Sequence, residues 1–147
     1  MNTNIESNHQ PITLSPVADE NIFDFLPAMF GNYFISGEQT IYSTMRSFCS
    51  AYQGGQWIYY NLSNGGRLMA LNSADKFDVL VLGNQFDAEM SSQAVSIVVN
   101  LAVLSQFGEA LYGTNEDLSE HMYTQHRLLM DFAREHPESE KIMRAID

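Results

Sequence analysis

The run Gln56-Trp57-Ile58-Tyr59-Tyr60-Asn61-Leu62-Ser63-Asn64-Gly65-Gly66-Arg67-Leu68-Met69-Ala70-Leu71 carries the plainest structural signal in the chain. Residues 56–62 are dense in aromatic side chains, which suit a pleated, half-buried surface. Four turn formers follow. Asn-Gly is the strongest short hairpin signal, because a type I′ turn needs two residues at positive φ. Two antiparallel strands, 56–62 and 67–71, are therefore expected. A third, Phe77–Leu82, is almost wholly apolar after Asp78 and reads as buried on both faces. It would follow through a less sharply marked hairpin at Asn72-Ser73-Ala74-Asp75.

Helical patterns flank these strands. Upstream, Ile41, Met45, Phe48 and Tyr52 recur at steps of four, three and four, with Tyr42 and Cys49 widening the stripe. A helix is expected over about 38–52, closed by Gly54-Gly55. Ala18–Leu26 reads as a short helix that Pro27 stops, and Phe30-Gly31-Asn32-Tyr33 as a turn. Residues 1–16 are polar, contain Pro11 and Pro16, and are expected to form a flexible arm ahead of a single domain, 17–147. Downstream, Gly83-Asn84-Gln85-Phe86-Asp87 ends the sheet region. Ser91 or Ser92 caps a long helix to about Ala110, with Val95, Val98, Val99, Ala102, Val103 and Phe107 toward the core. Thr114-Asn115-Glu116-Asp117 has the form of a capping box, opening a helix that carries Leu118, Met122, Leu129 and Phe132 as far as His136-Pro137. A final helix spans Glu138–Ile146. The order predicts an α+β fold: one compact domain, with a small antiparallel sheet of about three strands packed with several α-helices.

Composition narrows the function classes. The chain has 147 residues, 45% of them hydrophobic, enough for one core that buries about 70% of the unfolded surface. Seven Lys and Arg against 18 Asp and Glu leave a net charge of −11. Such a domain repels phosphate backbones, so direct nucleic-acid binding is not expected. A single Cys49 makes no internal disulfide and no zinc cluster. The first residues lack both a basic start and an apolar core, so no secretory leader is expected. The longest apolar stretch, Ala94–Leu104, is too short to span a bilayer. A cytoplasmic protein without a membrane partner is the expectation.

A search for catalytic chemistry finds little. The glycine pairs lack the Lys-Ser/Thr of a phosphate loop, and no Gly-x-Ser-x-Gly elbow occurs. Cys49 lies on the apolar side of its helix and reads as core rather than nucleophile. His121 and His126 are five residues apart and point away from each other. Asp117 and His121 share a helical face, but two ligands make no metal site. His136, before Pro137, reads as a helix-junction cap. Neither a metal nor a cofactor is expected. Trp57 and Tyr59 share one strand face that could stack bases, but this stretch holds no Lys or Arg, so packing or protein contact fits better. The remaining enzymatic option is a hydrolase using Asp87 or Glu89 in the loop before the long helix.

An ordered set of short motifs resembles the antirestriction proteins of the ArdB/KlcA type. The set begins with Phe25-Leu26-Pro27 and Phe30-Gly31, then Gly37-Glu38 with Ile41-Tyr42 and Met45. It continues through Cys49, Tyr52, Gly54-Gly55-x-Trp57, Leu62-Ser63-Asn64-Gly65-Gly66 and Met69-Ala70. Gly83-Asn84, Met90-Ser91, Ala94, Ile97-Val98, Leu104-Ser105, His136-Pro137-Glu138 and Ala145-Ile146-Asp147 complete it. The resemblance implies a compact α/β fold and a protein, carried by plasmids and other mobile elements, that relieves type I restriction of incoming DNA. It also implies a class apart from the acidic DNA mimics, and no catalysis. In one place the chain departs from the family: relatives often carry arginine shortly before Phe-Leu-Pro, where Glu20, Asn21 and Ile22 stand here.

Residues and resemblance together lead to a non-catalytic inhibitor that contacts the restriction complex or an associated host factor. The alternative is an acidic DNA mimic competing directly for the enzyme. Scattered carboxylates, interrupted by Arg127, Arg134, Lys141 and Arg144, fit a mimic poorly. Candidate partner-binding residues are Glu38 at the expected helix start, Trp57 as an aromatic anchor, and Asp147 at the end of the sequence.

Overall fold

The hairpin at 56–71 is present, and the rest of the molecule is arranged around it. The computed structural model describes residues 10–147; residues 1–9, most of the expected arm, lie outside the described residues. In chain order the elements are β1 (Leu14–Pro16), α1 (Ile22–Phe30), α2 (Phe34–Phe48), β2 (Trp57–Leu62), β3 (Arg67–Leu71), β4 (Lys76–Val81), β5 (Phe86–Ser91), α3 (Ser92–Leu111), α4 (Glu116–Glu135) and α5 (Ser139–Ile146). The α+β class and the three-stranded antiparallel sheet are as expected, but the sheet has a different third member.

β2 and β3 pair with Trp57 opposite Leu71 and Asn61 opposite Arg67. Their turn is not type I′. Only Gly65 has positive φ, at 95°, and the Gly65 N–H donates to the Leu62 carbonyl at 3.0 Å. The Leu62 N–H in turn donates to the Gly66 carbonyl at 2.9 Å, which is a three-residue loop of a tight turn followed by a glycine bulge. Asn64 is held out of the left-handed region by its side chain, which accepts from the Gly66 N–H and donates to the Leu128 carbonyl of α4.

The third strand of this sheet is β1, with the order β1-β2-β3 and Leu14 opposite Leu62. Leu14–Pro16 lies in the stretch read from sequence as arm. Pro16 is tolerated on an edge strand because its missing N–H takes no bond from the ladder.

β4, expected to follow β3 into the same sheet, pairs instead with β5, Asp78 opposite Glu89 and Val81 opposite Phe86. The reason is visible at the free edge of β3, which is closed by side chains of α3. Asn100 accepts from the Met69 N–H at 3.0 Å and donates to the Met69 carbonyl at 2.9 Å. Ser96 accepts from the Leu71 N–H at 3.0 Å, and the Ser92 hydroxyl donates to the carbonyls of Leu71 and Ser73. Three polar residues four apart thus take the place of a neighbouring strand. With those groups already paired, β4 has no edge to join. The segment expected to end the sheet, 83–87, turns the chain so that Phe86–Ser91 can pair back.

α3 is the centre of the core. Beyond the residues expected to face inward, Ile97, Leu101 and Leu104 are also buried, because β3, α2, α4 and α5 surround it. By length and apolarity α3 would suffice to cross a bilayer, more than the run 94–104 suggested, yet 67% of its most apolar window is buried inside the protein. Ser91 caps it, accepting from the Ala94 N–H at 3.1 Å. α4 is capped by Asn115 rather than Thr114.

Pro27 does not stop α1, which continues to Phe30. The bond it removes would have gone to Phe23, a residue 89% exposed, so the cost of the missing N–H is small. His121 Nε2 donates to the Ala28 carbonyl at 2.7 Å, satisfying one of the open carbonyls at the end of α1. α2 begins four residues before the expected start, which moves Glu38 from the first turn into the second, and Tyr52 lies beyond its end.

Candidate functional site

Two of the three residues singled out from sequence, Glu38 and Trp57, belong to one aromatic cluster between α1, α2 and β2. α2 presents Glu38 and Tyr42 one turn apart, and the Tyr42 hydroxyl donates to Glu38 Oε2 at 3.0 Å. Alternation along β2 puts Trp57 and Tyr59 on the same face. The Tyr59 hydroxyl reaches the same carboxylate oxygen at 3.4 Å, and its ring stacks on Phe25 at 4.5 Å with 4° between the planes. Tyr42 packs against Trp57 at 5.6 Å, and Tyr52 meets Trp57 edge-on at 6.1 Å.

Burial, and then the Glu38 carboxylate, push both the Tyr42 and Tyr59 phenols above the ordinary tyrosine value. Both remain protonated at neutral pH, so Glu38 keeps two phenol donors on one oxygen. Its other oxygen, Oε1, has no hydrogen bond among the described residues and is free to accept from a partner. Trp57 is half-buried, and its indole N–H is spent on the Tyr52 hydroxyl at 3.0 Å. It can therefore offer an apolar ring edge, not a hydrogen bond. The residues that make these contacts include no Lys or Arg to take up nucleic-acid phosphate.

Asp147 stands elsewhere. It lines a separate cavity of about 370 Å³ with Phe48, Val98, Leu101, His126, Met130 and others. His126 is half-buried there, and burial lowers its pKa. A folded-state pKa below the unfolded value, about 6.5, means that the unfolded chain takes up the proton more readily. The His126 contribution is thus complete above about pH 6.5 and is lost as pH falls. We expect the His126→Gln variant to lose less stability than the wild type between pH 7 and pH 5. Urea unfolding at both values checks this; parallel losses would refute it.

The remaining candidates occupy structural places. Cys49 is fully buried, and burial pushes its thiol up to about 11, as a core residue requires. His136 caps the junction: its Nδ1 accepts from the Glu138 N–H at 3.0 Å, so Nε2 carries the proton and donates to Gln93 at 2.9 Å. Burial opposes charge on Glu138, but Ser91, His136 and Lys141 outweigh it and hold that carboxyl below its usual range. Asp87 and Glu89 are not in a loop. They lie on β5, exposed, opposite Leu80 and Asp78. Among the described residues no three His, Cys, Asp or Glu side chains group to hold a metal. Sequence reasoning missed the Tyr42–Glu38–Tyr59 bridge, although the four-residue step from Glu38 to Tyr42 signals half of it.

Comparison with known proteins bears on this geometry. Residues 50–147 match the family model described as antirestriction protein. The chain is 38% identical over 144 residues to the antirestriction protein KlcA of Escherichia coli, covering 97% of this chain and 100% of that protein. A second Escherichia coli antirestriction protein KlcA is 37% identical over 140 residues, covering 93% of this chain and 94% of that protein. A solved structure from work on KlcA and ArdB superimposes with a TM-score of 0.84 at 38% identity, over 95% of this chain and 98% of that one. Those proteins show a novel fold and antirestriction activity against type I DNA restriction systems in vivo but not in vitro.

Proposed function

Because this chain belongs to the antirestriction protein family, we propose that it relieves type I restriction of incoming DNA in bacterial cells. It does so as a non-catalytic inhibitor, by protein contact with the restriction complex or with an associated host factor. One observation carries the choice of mechanism: a relative similar over nearly its whole length acts in vivo but not in vitro. A DNA mimic needs only the enzyme and DNA, so its competition should survive purification. An inhibitor that works through a further cellular component loses its activity when that component is removed. The same reading puts the protein in the cytoplasm, encoded on a plasmid or other mobile element, where entering DNA meets the restriction complex.

The contact face is the Glu38–Trp57 cluster, with its free carboxylate oxygen beside an apolar ring, and Asp147 is a second contact. Glu38→Gln keeps an acceptor for both phenols while removing the charge, so the fold is retained. In phage-plating assays on a type I host, Glu38→Gln and Trp57→Ala should each lose most of the protection, and Asp147→Asn part of it. Unchanged protection in all three, with normal expression, would rule out this face.

A further inference from the structure

No Lys or Arg occurs between Lys76 and Arg127, so the corner where α3 hands over to α4 carries negative charge alone along the chain. At that corner a notch of about 240 Å³ is lined by Tyr112, Glu116, Ser119, Glu120 and Tyr123. Tyr112 is 72% exposed and Tyr123 42%, so both rings offer a face to solvent. Tyr123 is seated by Gly108, where a Cβ would lie 2.9 Å from its ring, and the Ser119 hydroxyl donates to the Gly108 carbonyl at 2.7 Å. These contacts fix the ring and the floor of the notch. Glu116 accepts from the Gly113 N–H through one oxygen, leaving the other open. Glu120 and both tyrosine hydroxyls have no hydrogen bond among the described residues.

We propose that this notch docks an arginine side chain from a basic segment of the protein partner. The inference rests on the protein-contact reading above and names a second surface for it. A planar guanidinium matches the chemistry on both counts. It stacks on exposed aromatic faces and donates to carboxylates at its edge, whereas an ammonium is a compact, strongly hydrated charge. The partial positive charge at the start of α4 opposes a cation, but Glu116 and Asp117 sit on that first turn and offset it. Charge complementarity with a chain of net charge −11 favours a basic segment over an acidic or neutral one.

The test is an amide-resolved NMR titration of the whole protein with acetyl-Gly-Arg-Gly-amide at low salt. The lysine and citrulline peptides serve as controls, citrulline having nearly the shape of arginine without its charge. Saturable shifts should centre on Tyr112, Glu116, Glu120 and Tyr123, be weaker with lysine and be absent with citrulline. Tyr112→Ala should weaken binding about two- to five-fold, the size of an exposed cation–π contact. Asp78→Asn/Asp87→Asn, on the outer face of β4–β5, should leave binding unchanged. In cells, Tyr112→Ala/Glu120→Gln should lower protection. Shifts spread over every acidic face, equal shifts with citrulline, or full protection by the double variant would overturn the notch. Loss of protection in Glu38→Gln or Trp57→Ala would still leave the wider protein-contact reading standing.

Discussion

Replacing Asn100 with leucine is expected to destabilise the fold by about 3 kcal/mol, although the two side chains are close in volume. Asn100 is fully buried and makes three hydrogen bonds: one from the Met69 N–H, one to the Met69 carbonyl and one to the Ser96 carbonyl. Leucine would leave the N–H and the carbonyl of Met69 without partners, inside a core that water does not enter. Each orphaned buried group costs about 1–3 kcal/mol, whereas better helix propensity returns only a few tenths. For a domain of this size the melting temperature should fall by about 10 °C. Thermal unfolding followed by circular dichroism reads this directly. A loss below about 1 kcal/mol would mean that the β3 edge finds other partners and that α3 does not close it.

Gly37→Ala is the second large effect, and its sign runs against propensity. Within a helix alanine ordinarily gains up to about 1 kcal/mol over glycine. Here a Cβ at Gly37 would lie 2.5–2.7 Å from three ring atoms of Phe30. Phe30 is fully buried and packs on Phe107 at 5.7 Å, so the ring has nowhere to go without moving α1 away from α2. We expect a net loss of about 2 kcal/mol, typical of overpacking a tight core. Because Glu38 is the next residue, the same displacement should disturb the Tyr42–Glu38–Tyr59 bridge. Denaturant unfolding measures the loss; a gain in stability would show that α1 and α2 separate freely.

These two positions also mark what could be read from the sequence and what could not. The 56–71 hairpin was legible because aromatic density, Asn-Gly and alternation all point the same way. The long central helix was legible from its apolar run and its serine cap. The partner of β4 was not, since pairing is decided by which edges remain open. The signal that closes the β3 edge, Ser92, Ser96 and Asn100 four apart in an apolar helix, looks locally like an interruption. β1 was hidden for a related reason: Leu14–Pro16 is too short and polar to read as a strand, and it is ordered by bonds to β2, with Thr13 just before it bonded to Ser63. In the site, Glu38 and Trp57 were individually visible, but their meeting through Tyr42 depends on how α2 crosses β2. Asp147 was visible too, yet it lines a cavity to which neither Glu38 nor Trp57 contributes. Spacing along the chain places residues on faces; it does not say which faces meet.

The acidity of the chain admits two mechanisms that differ in what happens to DNA. The most direct measurement combines purified protein, a purified type I restriction complex and unmodified DNA at two salt concentrations. Enzyme–DNA binding and cleavage are read together, with and without added host-cell extract. A contact-based inhibitor leaves enzyme–DNA binding intact at both salts and blocks cleavage, without extract if it grips the complex itself and only with extract if it acts through a host factor. Loss of enzyme–DNA binding in the purified mixture, relieved by raising the salt, would contradict this account and establish direct competition with DNA.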